Sequence, residues 1–299
     1  MKRLIVNADD YGLCPEVTQG ILKAWDAGVI SSTTVLANLC PGDDLRRLRD
    51  SGLACGLHVN LVEGPPLTGA VGFRAIVGAD GCFSGVGKLA WAVFRKRLPP
   101  GRIREELNAQ AGVLDDAGLR IDHLDGHRHA HHLPVVTEVA AQTALTVGVG
   151  GIRLSREPLG FELGAWRATV KKVMMLPFAR AAARTYAEYG LGTAHGFFGV
   201  ALLEARDPAE RIRRALSRLN DGVTEMALHL ASARTAGPDG GPFSAWARTL
   251  EALLSMGFAE LLAAHGAVLT TFGEVWGTRR AERGPVPSGR SGVKEMGNM

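Results

Sequence analysis

The sequence predicts an α/β protein of barrel type, built as one domain. Segments with strand character alternate with helix-like segments from the first residues onward, in about seven strand–helix units. No internal repeat and no linker-like break interrupts this order before the end of the chain. We expect the domain to span residues 1–276. Residues 277–299 are rich in Gly, Arg, Ser and Pro and are expected to form a disordered tail.

Proline and glycine mark the boundaries of the elements in the first half of the chain. Leu4 to Ala8 is apolar on both faces, as in a buried parallel strand. Pro15 then begins a helix to Trp25, and Gly28 ends it. Further strands are expected at Ser32 to Ala37 and Ala54 to Leu61, and further helices at Asp43 to Asp50, Leu89 to Arg95 and Ile103 to Ala117. The glycine-rich stretch 62–86 is long enough to be a functional loop.

The second half continues the alternation. A helix follows Pro134, and a helical region from Phe161 to Tyr189 is expected to break near Pro177. Phe243 to His265 has the apolar periodicity of one long amphipathic helix. The remaining expectations are strands at Ile152 to Leu154, Val223 to Leu230 and Val268 to Thr271, a strand or loop at Thr193 to Phe198, and a helix at Pro208 to Leu219.

Composition excludes several classes of protein. Of 299 residues, 46% are hydrophobic and 21% charged, and the net charge is +4, as in soluble globular proteins. Basic residues are mostly dispersed and aromatic residues are few, so nucleic-acid binding is not favoured. Acidic residues interrupt the short apolar run at the N-terminus and no apolar tract reaches membrane-spanning length, so we expect neither signal peptide nor transmembrane segment. Four widely spaced cysteines fit reduced thiols in a cytoplasmic protein.

A histidine-rich segment from Ile121 to Pro134 is the strongest functional signal. Five of the nine histidines fall between His123 and His132, and imidazole is a common metal ligand. If the segment is extended, alternation turns one set of side chains to the same face, namely Ile121, His123, Asp125, His127, His129 and His131. A fortuitous tract or a surface patch with weak metal affinity is the alternative interpretation.

Two adjacent carboxylates follow the first strand in N-A-D-D-Y-G. Asp9 and Asp10 are costly to bury together unless a cation or another partner compensates them. Capping of the next helix is the alternative, but one cap needs one Asp and Pro15 starts the helix later. We therefore interpret the pair as functional.

Two further histidines fall near predicted strand ends. His58 could be a core residue, but it shares its position with Asp10 and the histidine segment, and one Asp with two His can hold a catalytic divalent ion. His229, in T-E-M-A-L-H, is either a packed neutral histidine or a general acid.

These motifs together carry a resemblance. N-A-D-D-Y-G, G-L-H, D-H-L-D-G-H-R-H-A-H, I-R-L-S-R-E-P and T-E-M-A-L-H resemble those of YdjC-like carbohydrate deacetylases, in order from Arg3 to about Val275. The loop from Leu61 to Gly64 and the D-H-L-D-G-H-R-H form also resemble those of the hopanoid-biosynthesis branch of the family. One departure is Leu230, where the family usually has Pro.

The resemblance implies a distorted (β/α) barrel, TIM-barrel-like and related to NodB-type polysaccharide deacetylases. It implies a metal-dependent enzyme that removes acetyl from an N-acetylated amino sugar, free, oligomeric or lipid-linked. Asp10, His58 and His127 would bind one divalent ion, Mg²⁺ by resemblance, with Zn²⁺ or another transition metal as the alternative by ligand type. Asp9 would be the base and His229 the acid. His129 and His131 would line the substrate groove or support the ligands.

Other classes of function stay open at this point. A metal-dependent phosphoesterase also uses histidines and paired aspartates, and predicts more carboxylate ligands with a bridging Asp. A non-catalytic sugar- or metal-binding module would not need Asp9 to be ionised. A homodimer is possible, and the apolar regions Trp91 to Phe94 and Val170 to Phe178 fit core packing, a dimer interface or lipid contact.

Overall fold

Eight strands form the centre of the molecule in the computed structural model, which describes residues 1–158, 166–203, 205, 207–233 and 243–278. The strands are β1 (Lys2–Tyr11), β2 (Ser32–Val35), β3 (Ala54–Val59), β4 (Ile121–Gly126), β5 (Gly151–Ile152), β6 (Gly196–Phe198), β7 (Gly222–Leu228) and β8 (Ala267–Leu269). Most helices follow a strand directly. They are α1 (Pro15–Asp26), α2 (Gly42–Ser51), α3 (Val86–Phe94), α4 (Pro100–Asp116), α5 (Pro134–Thr146), α6 (Trp166–Glu188), α7 (Pro208–Ser217), α8 (Phe243–Ser255), α9 (Phe258–Ala264) and α10 (Phe272–Trp276).

The strands pair in the order β5-β4-β3-β2-β1-β7-β6, and β8 pairs with the start of β1. Every one of these pairings is parallel. A single parallel bridge between Gly151 and Gly192 links β5 to the segment that leads into β6. The sheet is thus a distorted (β/α) barrel with incomplete closure, and the predicted fold class is confirmed.

Burial on both faces of β1 explains its central place. Leu4, Ile5 and Val6 are fully buried, so no face of this strand has to be polar. Around it, each helix turns an apolar stripe inward, as Val17, Ile21 and Ala24 do on α1. Full burial of one such aliphatic side chain stabilises the fold by about 1.5–3 kcal/mol. This packing places the carboxyl ends of the strands at one end of the barrel.

The prediction of one long helix from Phe243 to His265 is wrong. It is two helices, α8 and α9, because Gly257 adopts a φ of 64°, in the left-handed region where glycine carries no steric penalty. The break predicted at Pro177 is also wrong, since α6 continues through it. Pro177 and Val173 are both exposed, so water can satisfy the carbonyl that the proline leaves unpaired.

The ends of the chain follow the prediction in part. The last strand stops at Leu269, because Thr271 and Glu274 form a capping box that begins α10, a helix the sequence pattern did not indicate. Gly277 and Thr278 lie against Gly150 and Val149. The remainder of the predicted tail, 279–299, and residues 161–165 of the predicted helical region lie outside the described residues.

Two expectations from composition can be compared with the structure directly. Cys14, Cys40, Cys55 and Cys82 form no disulfide. Across the described ranges, no helix combines the length and the apolar character that crossing a bilayer requires.

Candidate functional site

Asp9 and Asp10 lie inside β1, not beyond its end as predicted. The register between β1 and β2 shifts between Ala8 and Tyr11, and Asp10 has a φ of 72°. A bulge of this kind lets two successive side chains face the same side, and both aspartates line one cavity. Neither caps α1, whose N-cap is Cys14. A non-glycine residue in the left-handed region costs free energy, which the surroundings of Asp10 must offset.

Asp10 lies between two imidazole rings. Its Oδ1 atom is 3.1 Å from His58 Nε2 and 2.8 Å from His127 Nδ1. His58 comes from β3, and His127 follows β4 directly. All three side chains are buried. The structure therefore brings together the three residues predicted as metal ligands, and their candidate ligand atoms lie within 4.8 Å of one another.

Further carboxylates orient both rings from behind. Asp125 Oδ1 is 2.6 Å from His58 Nδ1, and Glu63 Oε2 is 3.1 Å from His127 Nε2. A carboxylate that binds one ring nitrogen fixes the tautomer and leaves the other nitrogen free for a metal. On this basis His58 would offer Nε2 and His127 would offer Nδ1.

The charges of the cluster fit a cation. Burial alone would raise the pKa of Asp10, but His127 and His58 hold it well below its usual range. Burial would lower the pKa of His58, but Asp125 and Asp10 raise it to about 10. In this arrangement the protons on the imidazoles balance the negative charge of the buried carboxylates. A divalent cation could replace these protons. An oxygen and two nitrogens form a ligand set that leaves coordination positions open for water and substrate.

A buried guanidinium binds the second aspartate. Arg153 donates from Nη1 to Asp9 Oδ2 and from Nη2 to Asp9 Oδ1, both at 2.7 Å. Its Nε donates to Glu225 Oε1 at 2.6 Å, and Nη1 lies 2.5 Å from Asp125 Oδ2. Burial would raise the pKa of Asp9, but Arg153 outweighs this effect and lowers it. Asp9 is therefore an ionised and rigidly held carboxylate.

His229 lines the same cavity beside Asp10, just after β7. Its Nε2 is 3.4 Å from Asp10 Oδ2, and its ring is 4.9 Å from that of Trp246. Burial lowers the pKa of His229, although Asp10 and Asp9 oppose the shift. The ring is therefore neutral at pH 7. Leu230, in the position where the resemblance led us to expect Pro, is fully buried in the core.

The predicted extended path of the histidine segment is wrong beyond Gly126. Strand β4 ends there, and a short turn follows in which Arg128 and His129 have φ values of 50° and 59°. His129 reaches the cavity, and its Nδ1 lies 2.9 Å from Ser155 Oγ. His131 instead binds the backbone oxygen of Arg153 through Nε2 at 3.2 Å. The turn separates the histidines, so they do not form one face.

These groups surround a cavity of about 230 Å³. Its polar lining includes Asp9, Asp10, His58, His127 and His229. The rest of the lining includes apolar and basic residues, namely Leu13, Val200, Leu203, Phe243, Trp246, Arg128 and Lys171. A cavity that combines a few polar groups with apolar surface is typical of a site for a small organic group.

Sequence reasoning missed the residues that hold the site in place. Arg153, Asp125, Glu63 and Glu225 were given no role, although each touches a candidate site residue or its partner. Arg153 and Glu225 carried a usable signal, because each is a charged residue within a short apolar strand segment. Their partners follow only from the way the strands pair.

Comparisons with known proteins show which family the chain belongs to. The family model described as YdjC-like protein matches residues 3–264. A human protein named carbohydrate deacetylase is 33% identical over 229 residues, which cover 74% of this chain and 70% of the human protein. Its mouse counterpart is 32% identical over 232 residues, covering 74% and 73%.

A solved structure supports the fold. It is the structure of an Enterococcus faecalis V583 protein named for cellobiose-phosphate cleavage. The TM-score is 0.72 and the sequence identity is 23%, and the match covers 92% of this chain and 99% of the Enterococcus chain. The chain belongs to the YdjC-like protein family.

Proposed function

We propose that this protein is a carbohydrate deacetylase that hydrolyses the acetamide of an N-acetylated amino sugar to acetate and a free amine. The observation that carries the proposal is that three groups line one cavity together. These are the Asp10–His58–His127 cluster, the ionised Asp9 and the neutral His229. The human and mouse relatives named carbohydrate deacetylase support the same reaction class.

Asp10, His58 and His127 would hold one divalent cation, which in such a site polarises a carbonyl oxygen and lowers the pKa of water. Asp9 would accept the proton of the attacking water. The two hydrogen bonds from Arg153 keep the Asp9 carboxylate in one orientation and keep it ionised. Its lowered pKa makes Asp9 a weak base, so the water must already be activated when the proton moves.

His229 would protonate the departing amine, which is otherwise a poor leaving group. Since burial keeps its ring neutral at pH 7, His229 must take up a proton from solvent before the carbon–nitrogen bond breaks, and its side chain is 21% exposed. Its Nε2 atom faces Asp10 and the cavity. The apolar lining residues Leu13 and Trp246 could hold the methyl group of the acetamide.

Two identities are open for the cation in this proposal. The resemblance to the family implies Mg²⁺, whereas two imidazoles with one carboxylate favour Zn²⁺ or a neighbouring transition metal. Elemental analysis of the purified protein distinguishes the two.

The phosphoesterase alternative fits the geometry less well. A second cation would need Asp9 and Asp125, which also lie near His58. However, the Arg153 guanidinium already binds both carboxylates and supplies their positive charge. A two-metal site is therefore disfavoured on electrostatic grounds.

The test is release of acetate from a panel of N-acetylglucosamine conjugates, oligomeric and lipid-linked, with and without a chelator. We expect chelator-sensitive acetate release from at least one conjugate. Phosphate release from sugar phosphates without any acetate release would favour the phosphoesterase. Metal binding without turnover of any conjugate would favour the non-catalytic module.

A further inference from the structure

A group of exposed apolar side chains lies on α3 and on α6, the helix that lines the cavity with Lys171. Trp91 and Phe94 on α3, and Val170, Val173 and Met174 on α6, are 47–67% exposed. We call these five residues the α3–α6 surface. Large apolar side chains are common on protein surfaces singly, but a contiguous group indicates a binding surface.

The spacing and contacts make this surface continuous. On α6 the apolar residues recur at intervals of three and four, which puts Val170, Val173 and Met174 on one helical stripe. The stripe continues to Phe178, whose ring centroid is 5.9 Å from that of Phe94. The apolar faces of α3 and α6 therefore meet at these two rings.

The surroundings of this surface are strongly basic. Segments 86–97 and 170–188 contain eight Lys or Arg residues and a single acid, Glu188, whereas the whole chain has 34 basic and 30 acidic residues. Of the eight, the Lys172 side chain is buried in an ion pair with Glu157 and does not add to the surface charge. Arg95, Lys96 and Arg97 follow Phe94 directly and are exposed, as are Arg180 and Arg184 on α6. The Arg97 guanidinium lies 5.4 Å from the centroid of the Trp91 ring. Aromatic and apolar side chains edged by Arg and Lys are typical of helices that lie in the membrane interface.

The basic charge around the α3–α6 surface distinguishes two possible occupants, a second copy of this chain and an anionic lipid bilayer. A symmetric interface between two copies would bring the same patch of each chain together, and with it two basic rims. Like charges at close range oppose such an association. Anionic lipid headgroups would instead neutralise the rim while the apolar side chains enter the acyl region.

We propose that the α3–α6 surface docks the protein on an anionic lipid bilayer. Trp91, Phe94 and Met174 enter the interface, and Arg95, Lys96 and Arg97 bind headgroup phosphates. The site would then open near the bilayer, because α6 also lines the cavity with Lys171. A sugar attached to a lipid could reach the cavity from the bilayer. This last consequence rests on the proposed function, whereas the docking itself does not.

The experiment is co-sedimentation of the full chain with vesicles of pure phosphatidylcholine and with vesicles of equal parts phosphatidylcholine and phosphatidylglycerol. We expect binding to the anionic vesicles that weakens as salt is added, and much weaker binding to the neutral ones. The double variant Phe94→Ser with Met174→Ser should bind at least about tenfold more weakly, since it removes two exposed apolar anchors. The double variant Arg95→Glu with Lys96→Glu should lose a similar factor or more, at about fivefold per basic side chain.

The matched control is Val71→Ser with Val268→Ser, two exposed apolar residues outside this surface. It should bind anionic vesicles as the parent does. Vesicle binding that is absent, or equal in all variants, would overturn the proposal. So would a dimer in sedimentation velocity that the Phe94 and Met174 substitutions dissociate while vesicle binding is absent, because the occupant would then be a second copy. Acetate release from a soluble conjugate is measured in parallel, so failure of the docking and failure of the proposed function are distinguishable.

Discussion

Two pairs of histidines, all buried and close together, differ in charge because their neighbours differ. His58 and His127 each contact two carboxylates, and the pKa of each is raised despite burial. The rings of His131 and His132 pack against each other with their centroids 3.9 Å apart. Among the described residues, neither ring contacts a carboxylate. Burial lowers the pKa of His132 to about 3 and that of His131 well below its usual range.

The difference shows what makes a histidine a candidate ligand in this fold. Burial alone makes the ring a neutral packing group, whereas a carboxylate on each side orients it and attracts a cation. His131 and His132 then serve to pack the turn after β4, through contacts such as that of Tyr186 Oη with the His131 carbonyl oxygen at 3.2 Å. The predictions below test this division from the largest expected effect to the smallest.

Arg153 contacts both pairs, because its backbone oxygen binds His131 and its guanidinium binds the Asp125 carboxylate behind His58. Its removal should therefore have the largest effect. Arg153→Met leaves Asp9, Asp125 and Glu225 buried without their counter-charge, and should cost about 3–5 kcal/mol of unfolding free energy at pH 7. Acetate release should fall with it, because Asp9 loses its orientation. Denaturant unfolding gives the free energy, and the cost should shrink as pH falls because the carboxylates then bind protons.

Arg153→Lys serves as the control for charge. Lysine restores one positive charge but cannot make the two parallel hydrogen bonds to Asp9, so stability should recover more than activity. Equal recovery of both, or no loss of stability in Arg153→Met, would contradict this account of the network.

Glu63 tests the carboxylate half of the comparison. Glu63→Gln removes the charged acceptor behind His127 Nε2, and we expect metal affinity to fall about 10- to 100-fold. Stability should change little, because the Glu63 side chain is 31% exposed. The metal affinity is measured by titrating the protein with metal and recording the thermal unfolding temperature at each metal concentration. Glu105→Gln, which removes one partner of an exposed pair with Arg102, is the matched control and should leave the affinity unchanged.

His132 tests the neutral half. Its folded pKa of about 3 lies below the unfolded value of about 6.5, so the unfolded state binds the proton first and stability falls as pH drops from about 6.5 toward 3. This residue contributes a slope of up to about 1.4 kcal/mol per pH unit in that window. His132→Leu should make the unfolding free energy less steep in pH. The same substitution at the partly buried His265 is the control, and an unchanged slope in His132→Leu would contradict the assignment.

Much of the fold and part of the site follow from sequence, for a local physical reason. Proline and glycine marked most element ends, and polar residues near strand ends pointed to Asp10, His58 and His127, because parallel strands bring their carboxyl ends together. The bulge at Asp10 and the turn at Arg128 and His129 were not predictable, since each depends on backbone strain that packing must hold. The break at Gly257 was missed because a glycine inside a helical pattern does not by itself show that the helix ends there. The partners of Arg153 and Glu63 come from distant segments, and local pattern carries no information on such pairs.

The central claim is that the two adjacent aspartates have separate tasks, with Asp10 holding the cation and Asp9 acting on water. The most direct test is the metal content of Asp9→Asn and Asp10→Asn after equal loading and dialysis, measured by elemental analysis beside acetate release. We predict that both variants lose turnover, that Asp9→Asn keeps nearly the metal content of the parent, and that Asp10→Asn loses it. Loss of metal from Asp9→Asn, or retained turnover in either variant, would contradict the account.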